Sequence, residues 1–396
     1  MNDIFIEDCR KMIHCPSESG HEAAAATFAK SVMERLGYDR VWIDSVGNVV
    51  GLIKGNGSTI VLLEGHLDTV GIGNRADWRF DPHGAVMEEG RMYGRGTSDM
   101  KCALMAMIYG AADLIPQKQS LSGDIVVAGV VCEEEFEGVA QGVILDQIKP
   151  DLVIIGEASE LTIKIGQRGR AEVVVLTHGK SAHSSNPSAG INAVKQMTRL
   201  LGEIETMRLP WDEFLGPAII EVTDIHSEPY PGSSVIPSLC RATLDRRLLP
   251  GETEASILSP IKHIIQQLGA ADPDFSAEVF LAQASQVCYT GKAIEAKRFF
   301  PAWRFAVDEA FVQQALTALG EAGLPPKISY YSFCTDGSQS AGTRGIPTLG
   351  FGPSREDLAH VVDEYVEIDQ LEKARTGYGA ITARALSVAW GPDRKI

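Results

Sequence analysis

The chain has 396 residues, of which 44% are hydrophobic and 22% charged, and it carries a formal net charge of −16 at pH 7. This length exceeds the size at which one hydrophobic core usually stops growing, so we expect two domains. The acidic balance argues against nucleic acid or an anionic membrane as a general partner, although a pocket can still be locally basic.

Cysteine usage and the N-terminal residues bear on the compartment. The seven cysteines are odd in number and scattered, without a Cys-x-x-Cys pair, which is typical of neither a disulfide framework nor a thiolate zinc knuckle. The first residues, MNDIFIEDCRKMIHCPSES, lack the basic and then apolar pattern of a signal peptide. No run approaches the ~20 apolar residues of a membrane span. We therefore expect a cytoplasmic protein with no membrane partner.

Helical and strand patterns alternate in the first part of the chain. Residues 21–37 predict a helix that ends at Gly37, and residues 102–114 predict a second, rich in Ala and Met. Short apolar runs that are typical of buried strands lie at 60–63, 125–131 and 152–155. Strands that alternate with helices indicate an α/β domain with a mostly parallel sheet.

The pattern changes at about Ala171 and changes back at about Ala284. The segment between them contains strands with polar alternation and two amphipathic helices, which indicates a small α+β unit with one open sheet face. A helix near DEAFVQQALTALGEAG, a strand at PTLGFGP and a C-terminal helix near LEKARTGYGAITARALSVA follow. The simplest organisation is an α/β domain of residues 1–170 and 284–396, interrupted by an inserted domain of residues 171–283.

Histidines and carboxylates follow the predicted strands. The candidates are His66 and Asp68 after the first run, Asp99 before a helix, Glu133–Glu135 after the second run, Glu157 after the third and His360 after the last strand. In open α/β sheets, ligands bind outside the carboxyl ends of the strands, so these groups could converge. A site of histidines and carboxylates without thiolates suits zinc, or cobalt or manganese in its place.

Each of these residues also has a plain structural explanation. Asp99 could be the N-cap of the helix that follows, the three glutamates a solvated surface run, and His66 a structural histidine. Together, in order and each at a strand end, they predict a metal centre. Two cations would need a bridging carboxylate, and Asp99, Glu134 and Glu157 could supply three negative charges against four. A hydroxide bridging both ions would supply most of the rest, because metals lower the pKa of water.

The combined motifs resemble one clan of dizinc hydrolases. They are Gly-His-x-Asp (65–68), Gly-x-x-Asp-x-Lys (96–101), Glu-Glu (133–134), Gly-Glu (156–157) and a late His360. The clan includes acetylornithine deacetylase, succinyl-diaminopimelate desuccinylase, aminoacylase and glutamate carboxypeptidases, and the resemblance covers essentially the whole chain. Within it, CEEEFEG and QRGRAEV are most similar to a branch described as selenium-metabolism-linked hydrolases. The resemblance implies a zinc-exopeptidase-like catalytic domain interrupted by a ferredoxin-like lid and dimerisation domain.

The resemblance also implies the roles of the metal ligands. Asp99 would bridge two Zn²⁺ ions per chain, with Co²⁺ or Mn²⁺ as substitutes. His66 and Glu157 would complete one metal site, and Glu134 and His360 the other.

Two further residues have roles implied beside the ligands. Asp68 would hydrogen-bond the imidazole of His66 and fix its tautomer. Glu133 would be the general base that takes a proton from the bridging water and passes it to the leaving amine. Because three glutamates are consecutive, the base and ligand could also be Glu134 and Glu135.

The inserted domain carries two segments that resemble the family's substrate-contacting residues. In GKSAHSSNPSAGINA, His183 matches a histidine that reaches the active site of the partner subunit and stabilises the oxyanion. In LDRRLLPGET, Arg247 matches an arginine that holds the substrate carboxylate, for which a planar guanidinium is well suited. Arg246 is the adjacent register. Ser234 lies where many relatives have Asn, which puts that substrate contact in doubt.

One loop of the α/β domain is a further candidate. CTDGSQS resembles the family's Thr-Asp-Gly loop, so Thr335, Asp336 and Gly337 would line the substrate side. The alternative is an ordinary turn.

The leading hypothesis is a hydrolase that cleaves an amide bond in a small carboxylate-bearing N-acyl amino acid, N-acyl diamino acid or peptide. The attack would come from the metal-bridging hydroxide, with Glu133 as base. Whether it is a deacylase or a dipeptidase or carboxypeptidase stays open. The alternative is a non-catalytic metal- or amino-acid-binding descendant. Glu133 favours the enzyme, because a binding protein has no need for a base. We also expect a homodimer through the inserted domain.

Overall fold

The computed structural model describes residues 4–387, which form two compact units. Unit 1 contains the described residues up to Gln167, then Ser285–Glu295, and those from Arg304 onward. Unit 2 contains Arg168–Ala284 and Ala296–Trp303. The predicted boundaries lie close to these, but the sequence did not predict that the chain passes through unit 1 and returns to unit 2 before leaving it. The return occurs because a short strand at Phe299–Phe300 pairs with a unit 2 strand.

The helices and strands are numbered in chain order. The helices are α1 (Ile4–Ile13), α2 (Ala23–Leu36), α3 (Lys101–Ala112), α4 (Val139–Ile148), α5 (Ala193–Glu205), α6 (Glu254–Ala271), α7 (Ala310–Glu321) and α8 (Ile368–Ala385). The strands are β1 (Arg40–Ile43), β2 (Val49–Ile53), β3 (Thr59–His66), β4 (Val86–Glu88), β5 (Arg91–Tyr93), β6 (Gly123–Val130), β7 (Leu152–Ile155), β8 (Ile163–Gln167), β9 (Gly169–His178), β10 (Trp211–Asp212), β11 (Gly216–Pro217), β12 (Ile219–Glu228), β13 (Leu239–Leu248), β14 (Ser276–Leu281), β15 (Gln283–Val287), β16 (Ala293–Lys297), β17 (Phe299–Phe300), β18 (Trp303–Arg304), β19 (Ile328–Tyr331), β20 (Thr348–Gly350) and β21 (Tyr365–Glu367).

Local sequence explains where several helices begin and end. Helix α2 ends at Gly37, whose left-handed φ of 90° lets its N–H bond the last turn, as the sequence predicted. Helix α6 begins with a capping box in which Thr253 and Ser256 bond each other's backbone amides. The predicted C-terminal helix is present as α8, and its last two predicted residues, Val388 and Ala389, lie outside the described residues. Helices α1 and α4 were not predicted.

Unit 1 is built on a mixed sheet with strand order β1-β2-β6-β3-β7-β20-β8. Strands β6, β3, β7 and β20 run parallel at its centre, and the pairs β2–β6 and β20–β8 are antiparallel. All four residues of β7 are buried, as expected for a parallel strand covered on both faces. The predicted α/β class is confirmed, although the sheet is parallel only at its centre.

The register of the central strands brings their carboxyl ends to one edge. His66 at the end of β3 is paired with Val130 at the end of β6. Ile155 at the end of β7 is paired with Gly350 of β20. Helix α3 packs against β3, α1 and α8 and is buried over nearly its whole length, so the loop before it is held above the same edge.

Unit 2 is an antiparallel sheet with helices on one face. Its strand order is β12-β13-β9-β14, and β17 also pairs with β9. Apolar residues of β9 and β13 pack with those of α5 and α6 in one core. Strand β12 forms an edge of this sheet, and Ile219, Val222 and Ile225 on it are exposed. Among residues 4–387, no helix has the length and apolar character that crossing a membrane requires.

Candidate dinuclear metal centre

The histidines and carboxylates predicted from the strand ends converge in unit 1. The participants are His66 at the end of β3, Asp99 before α3, Glu133 and Glu134 after β6, Glu157 after β7, and His360 between β20 and β21. His66, Glu133, Glu134 and Glu157 come together because the central strands end at one edge of the sheet. The loops before α3 and after β20 bring Asp99 and His360 to the same edge.

Asp99 lies between two histidines. Its Oδ1 is 2.9 Å from Nε2 of His66, and its Oδ2 is 3.2 Å from Nε2 of His360. Each histidine has a second carboxylate beside it: Glu157 Oε1 is 3.4 Å from Nε2 of His66, and Glu134 Oε2 is 2.9 Å from Nε2 of His360. The result is two half-sites, each with one histidine and one glutamate of its own, that share the carboxylate of Asp99.

The three consecutive glutamates differ in where they lie. Glu133 is buried and can bring an oxygen within 4.8 Å of ligand atoms of both His66 and Glu157. Glu134 belongs to the half-site of His360, whereas Glu135 is exposed. This geometry favours the register in which Glu133 and Glu134 act and Glu135 does not. Distance alone allows Glu133 to be either a ligand or a base.

The electrostatics are those of a site with excess buried carboxylate. Burial would lower the pKa of His66, but its hydrogen bonds to Asp99 and Glu157 raise that pKa well above the usual value. Hydrogen bonds to Asp99 and Glu134 raise the pKa of His360 to about 10. Burial, together with nearby carboxylates, raises the pKa of Glu157 to about 7. These raised pKa values mean that a proton is stabilised between each histidine and its neighbouring carboxylates. A cation in the same position would also neutralise the carboxylates.

The donor set fits two divalent cations. Imidazole nitrogens and carboxylate oxygens are suited to zinc, cobalt or manganese. Oε1 of Glu134 is buried and has no hydrogen-bond partner within residues 4–387, so an oxygen is available at that half-site. His66, Asp99 and Glu157 are buried, and the side chain of His360 is half exposed, which leaves one side of the centre accessible.

Asp68 contacts His66 through its backbone carbonyl, whereas the sequence predicted a hydrogen bond from its side chain. Nδ1 of His66 is 2.9 Å from the backbone carbonyl of Asp68 and 3.7 Å from its carboxylate. A carbonyl can only accept, so Nδ1 carries the proton and Nε2 is free to bind a cation. The carboxylate of Asp68 instead accepts the backbone amides of Glu133 and Glu134, at 3.0 and 3.1 Å, and the hydroxyl of Ser19 at 2.7 Å.

Glu364 holds the loop of Asp99 and was not predicted. It is fully buried, and its Oε1 accepts the backbone amides of Ser98 and Asp99 at 2.7 and 3.1 Å. Its Oε2 pairs with Arg95 at 2.6 Å. Glu364 lies four residues after His360 in AHVVDEYV, close to a predicted site residue. Its role could not be predicted from that position, because a carboxylate can accept backbone amides at any distance along the chain.

The glycines of the Gly-His and Gly-Glu motifs make room for Met100, the residue after Asp99. A Cβ on Gly65 would lie 2.3 Å from Cε of Met100, and one on Gly156 would lie 2.6 Å from the same atom. The atom approached is the flexible end of a buried methionine, so Met100 would have to shift to admit a side chain at either position.

The loop of Thr335, Asp336 and Gly337 is turned inward within unit 1. The Thr335 hydroxyl donates to Gln167 at 2.6 Å and accepts the amide of Gly337 at 3.0 Å. Asp336 is buried and accepts the amide of Gly138. The Thr335 hydroxyl and one carboxylate oxygen of Asp336 hold the loop, as the ordinary-turn alternative would have it. That the loop lines the substrate side stays a prediction.

His183 and Ser234 lie on neighbouring loops of unit 2. His183 is exposed, and its Nδ1 accepts the backbone amide of Ser185 at 3.1 Å. An amide can only donate, so the neutral ring carries its proton on Nε2, which can then act as a donor. Ser234 is exposed with a φ of 61°, and its backbone carbonyl accepts the amide of Ser184 at 2.9 Å.

The two adjacent arginines on β13 point to opposite faces of the unit 2 sheet. Arg246 is 3% exposed, is paired with Glu252, and donates to the backbone carbonyl of Ile219 at 3.1 Å. Arg247 is on the open face, has about a third of its side chain exposed, and pairs with Asp245 at 2.7 Å. Because Arg246 is committed to internal contacts, the geometry favours Arg247 as the arginine available to a ligand.

The chain is similar to known proteins over most of its length. Residues 62–384 match the sequence profile described as peptidase family M20/M25/M40. The uncharacterized protein YgeY of Escherichia coli K12 is 33% identical over 94% of this chain and 92% of its own length. Succinyl-diaminopimelate desuccinylase 2 of a Ruegeria species is 27% identical over 95% of this chain and 93% of its own.

Among solved structures, the M20 family metallo-carboxypeptidase Sso-CP2 of Sulfolobus solfataricus superposes with a TM-score of 0.76 at 18% identity. The superposition covers 98% of this chain and all of that one. At this identity it shows a shared fold and no more. The predicted resemblance to the dizinc deacylase and peptidase clan is confirmed, and the finer placement in its selenium-metabolism-linked branch stays a prediction.

Proposed function

The chain belongs to peptidase family M20/M25/M40, and from that premise we propose that it hydrolyses the amide bond of a small carboxylate-bearing N-acyl amino acid, N-acyl diamino acid or peptide. Membership makes it a metal-dependent amidohydrolase. The observation that carries the finer proposal is Asp99, whose two oxygens face two different histidines. A carboxylate in that position is suited to bridge two cations.

We assign the two cations to Asp99 together with His66 and Glu157 on one side, and Glu134 and His360 on the other. Zn²⁺ is the proposed ion, with Co²⁺ or Mn²⁺ as substitutes. When bound, the ions supply Lewis acidity toward the scissile carbonyl and lower the pKa of water.

Glu133 is the proposed general base. It accepts a proton from the attacking water and delivers it to the nitrogen of the leaving amine. Its burial and its neighbouring carboxylates raise its pKa, the largest effect being burial, which suits a group that must both take and give a proton. Asp68 positions it by accepting the backbone amides of Glu133 and Glu134.

Substrate recognition is proposed for residues of unit 2. Arg247 would hold the substrate carboxylate, supported by its partial exposure and by the internal commitment of Arg246. His183 would donate from Nε2 to the oxyanion, supported by the tautomer that its bond to Ser185 favours. Because Ser234 carries a short hydroxyl, it would contact substrate less extensively than an amide side chain could. Thr335, Asp336 and Gly337 are proposed to shape the catalytic unit rather than to bind substrate through their side chains.

We further propose a homodimer formed through unit 2, in which His183 acts in the partner's site. The supporting feature is β12, an edge strand of ten residues with exposed Ile219, Val222 and Ile225. An exposed edge with apolar side chains is usually covered or paired. Pairing with a second copy across a twofold axis would cover it and give an isologous interface.

The test is a hydrolysis screen with protein reconstituted with Zn²⁺ and with Co²⁺. The panel contains N-acetyl, N-succinyl and N-carbamoyl amino acids and diamino acids, and dipeptides, with Glu133→Gln as the control. Turnover that depends on metal and on Glu133 supports the proposal, and preference within the panel separates deacylase from peptidase. Tight binding of these compounds without turnover would favour the non-catalytic alternative instead.

A further inference from the structure

Three successive backbone N–H groups after β6 point at two buried carboxylates. The amide of Cys132 donates to Oε1 of Glu22 at 3.1 Å. The next two amides, of Glu133 and Glu134, donate to the two oxygens of Asp68 at 3.0 and 3.1 Å. Successive amides that converge on negative charge form a concave anion site. In this chain the anions are two of its own side chains, so the segment 132–134 is held from both ends.

The conformation of Cys132 requires such support. Its φ is 56°, in the left-handed region that residues with a Cβ rarely adopt. Released from its contacts, a cysteine would favour the extended or right-handed regions. Because Glu133 and Glu134 follow directly, a change of φ at Cys132 would swing both side chains away from the metal centre.

The side chain of Glu22 does not cap the helix that it precedes. Glu22 is fully buried at the start of α2. Its Oε1 takes the amides of Gly20, at 2.9 Å, and Cys132, together with the thiol of Cys132 at 3.4 Å. Its Oε2 is buried and has no hydrogen-bond partner within residues 4–387. Burying a carboxylate this way is unfavourable, so helix stability does not explain the residue.

We propose that Glu22 is a positioning residue: by binding the amide of Cys132 it holds the left-handed conformation that presents Glu133 as base and Glu134 as ligand. This inference rests on the proposed function. Asp68 accepts the amides of Glu133 and Glu134, and Glu22 accepts the amide of Cys132 just before them. The two carboxylates would therefore position the same segment together.

The test compares Glu22→Ala with Glu22→Gln in metal-loaded protein. Loss of the acceptor in Glu22→Ala should lower kcat by about 10–100-fold, the range for removing a supporting contact of a metal site, with little change in KM. Gln keeps an oxygen that can accept the Cys132 amide, so it should recover most of the loss. Glu34→Ala, an exposed position on the same helix, is the matched control and should leave kcat unchanged.

A second readout does not depend on turnover. Because Glu134 lies on the held segment, titration of Glu22→Ala with Co²⁺ should show one of two binding steps weakened by about 10-fold and the other retained. If the panel of amides gives no turnover with the parent protein, the proposed function fails. The Co²⁺ titration then still decides the inference on Glu22.

Glycine at position 132 tests the backbone reason directly. Glycine adopts a positive φ without strain, so Cys132→Gly in the Glu22→Ala background should restore part of kcat and of the weakened Co²⁺ step. Should Glu22→Ala not fold, Glu22→Asp takes its place, since it keeps the charge but withdraws the oxygen by one methylene. A lower melting temperature with unchanged kcat and Co²⁺ binding, or a double variant no better than its parent, would overturn the proposal.

Discussion

The two units hold their functional side chains in different ways. In unit 1, Asp68 and Glu364 are buried carboxylates that each accept two backbone amides beside the proposed metal ligands. In unit 2, His183 is exposed and bonded to Ser185 two residues away, and Arg247 is partly exposed and paired with Asp245 on its own strand. The groups proposed for metal binding and proton transfer are thus fixed before substrate arrives, whereas those proposed to contact the substrate carboxylate and the oxyanion are held only locally. Fixed dipoles and donors cost no reorganisation during reaction, which is where rigidity is most useful.

The largest expected effect comes from the fixed unit. Glu133→Gln keeps the size of the side chain but removes the base, so kcat should fall by ~10²–10⁴-fold while both metals stay bound. Glu134→Gln should instead weaken one of the two metals. Steady-state kinetics with metal analysis of both variants checks this. The reverse pattern would move the base and ligand one position along the chain.

His183 tests whether a loosely held residue can still act in catalysis. His183→Ala should lower kcat by roughly 10²–10³-fold, the range for losing one oxyanion donor. Mixing it with Glu133→Gln under subunit exchange should restore activity, because one site of each heterodimer then has both an intact base and an intact histidine. A mixture that stays inactive despite demonstrated exchange would contradict action across the dimer.

Arg247 should give a smaller effect, mainly on binding. Arg247→Ala should cost about 1.5–3 kcal/mol in kcat/KM, as for a hydrogen bond to a charged group. The low end is favoured because the side chain is a third exposed and already paired with Asp245. Arg247→Lys should recover only part of this loss in kcat/KM, because lysine restores the charge without the planar guanidinium. Kinetics of Arg246→Ala are the comparison: a larger loss there, without unfolding, would reassign the role.

Thr335 should affect stability more than activity, in contrast with the residues of unit 2. Thr335→Val removes a buried hydroxyl and leaves partners at Gln167 and Gly337 unsatisfied, at a cost of about 1–3 kcal/mol in unfolding free energy. KM should change little, because the hydroxyl is turned inward. Thermal unfolding and kinetics of the same sample measure both. A large rise in KM with unchanged stability would indicate instead that Thr335 contacts the substrate.

His66, Glu134 and Glu157 could be proposed as metal ligands from the sequence, because each follows an apolar run that ends in a histidine or carboxylate. Asp99 and His360 lie in loops, and the resemblance of their motifs implied their role. Glu22 and Glu364 could not be found this way, since each acts on backbone amides more than a hundred residues distant and any residue type can supply such an amide. The inward turn of Thr335 was also hidden, because a motif does not state which way a side chain faces.

The proposed bridging of two cations by Asp99 is tested most directly by anomalous scattering from crystals grown with Zn²⁺. We expect two anomalous peaks per chain, one on each side of the Asp99 carboxylate, with His66 and Glu157 beside one and Glu134 and His360 beside the other. In Asp99→Ala crystals, the summed occupancy should fall by more than one ion per chain. A single fully occupied peak in the parent protein, with Asp99 bound through one oxygen or none, would show that Asp99 does not bridge two cations.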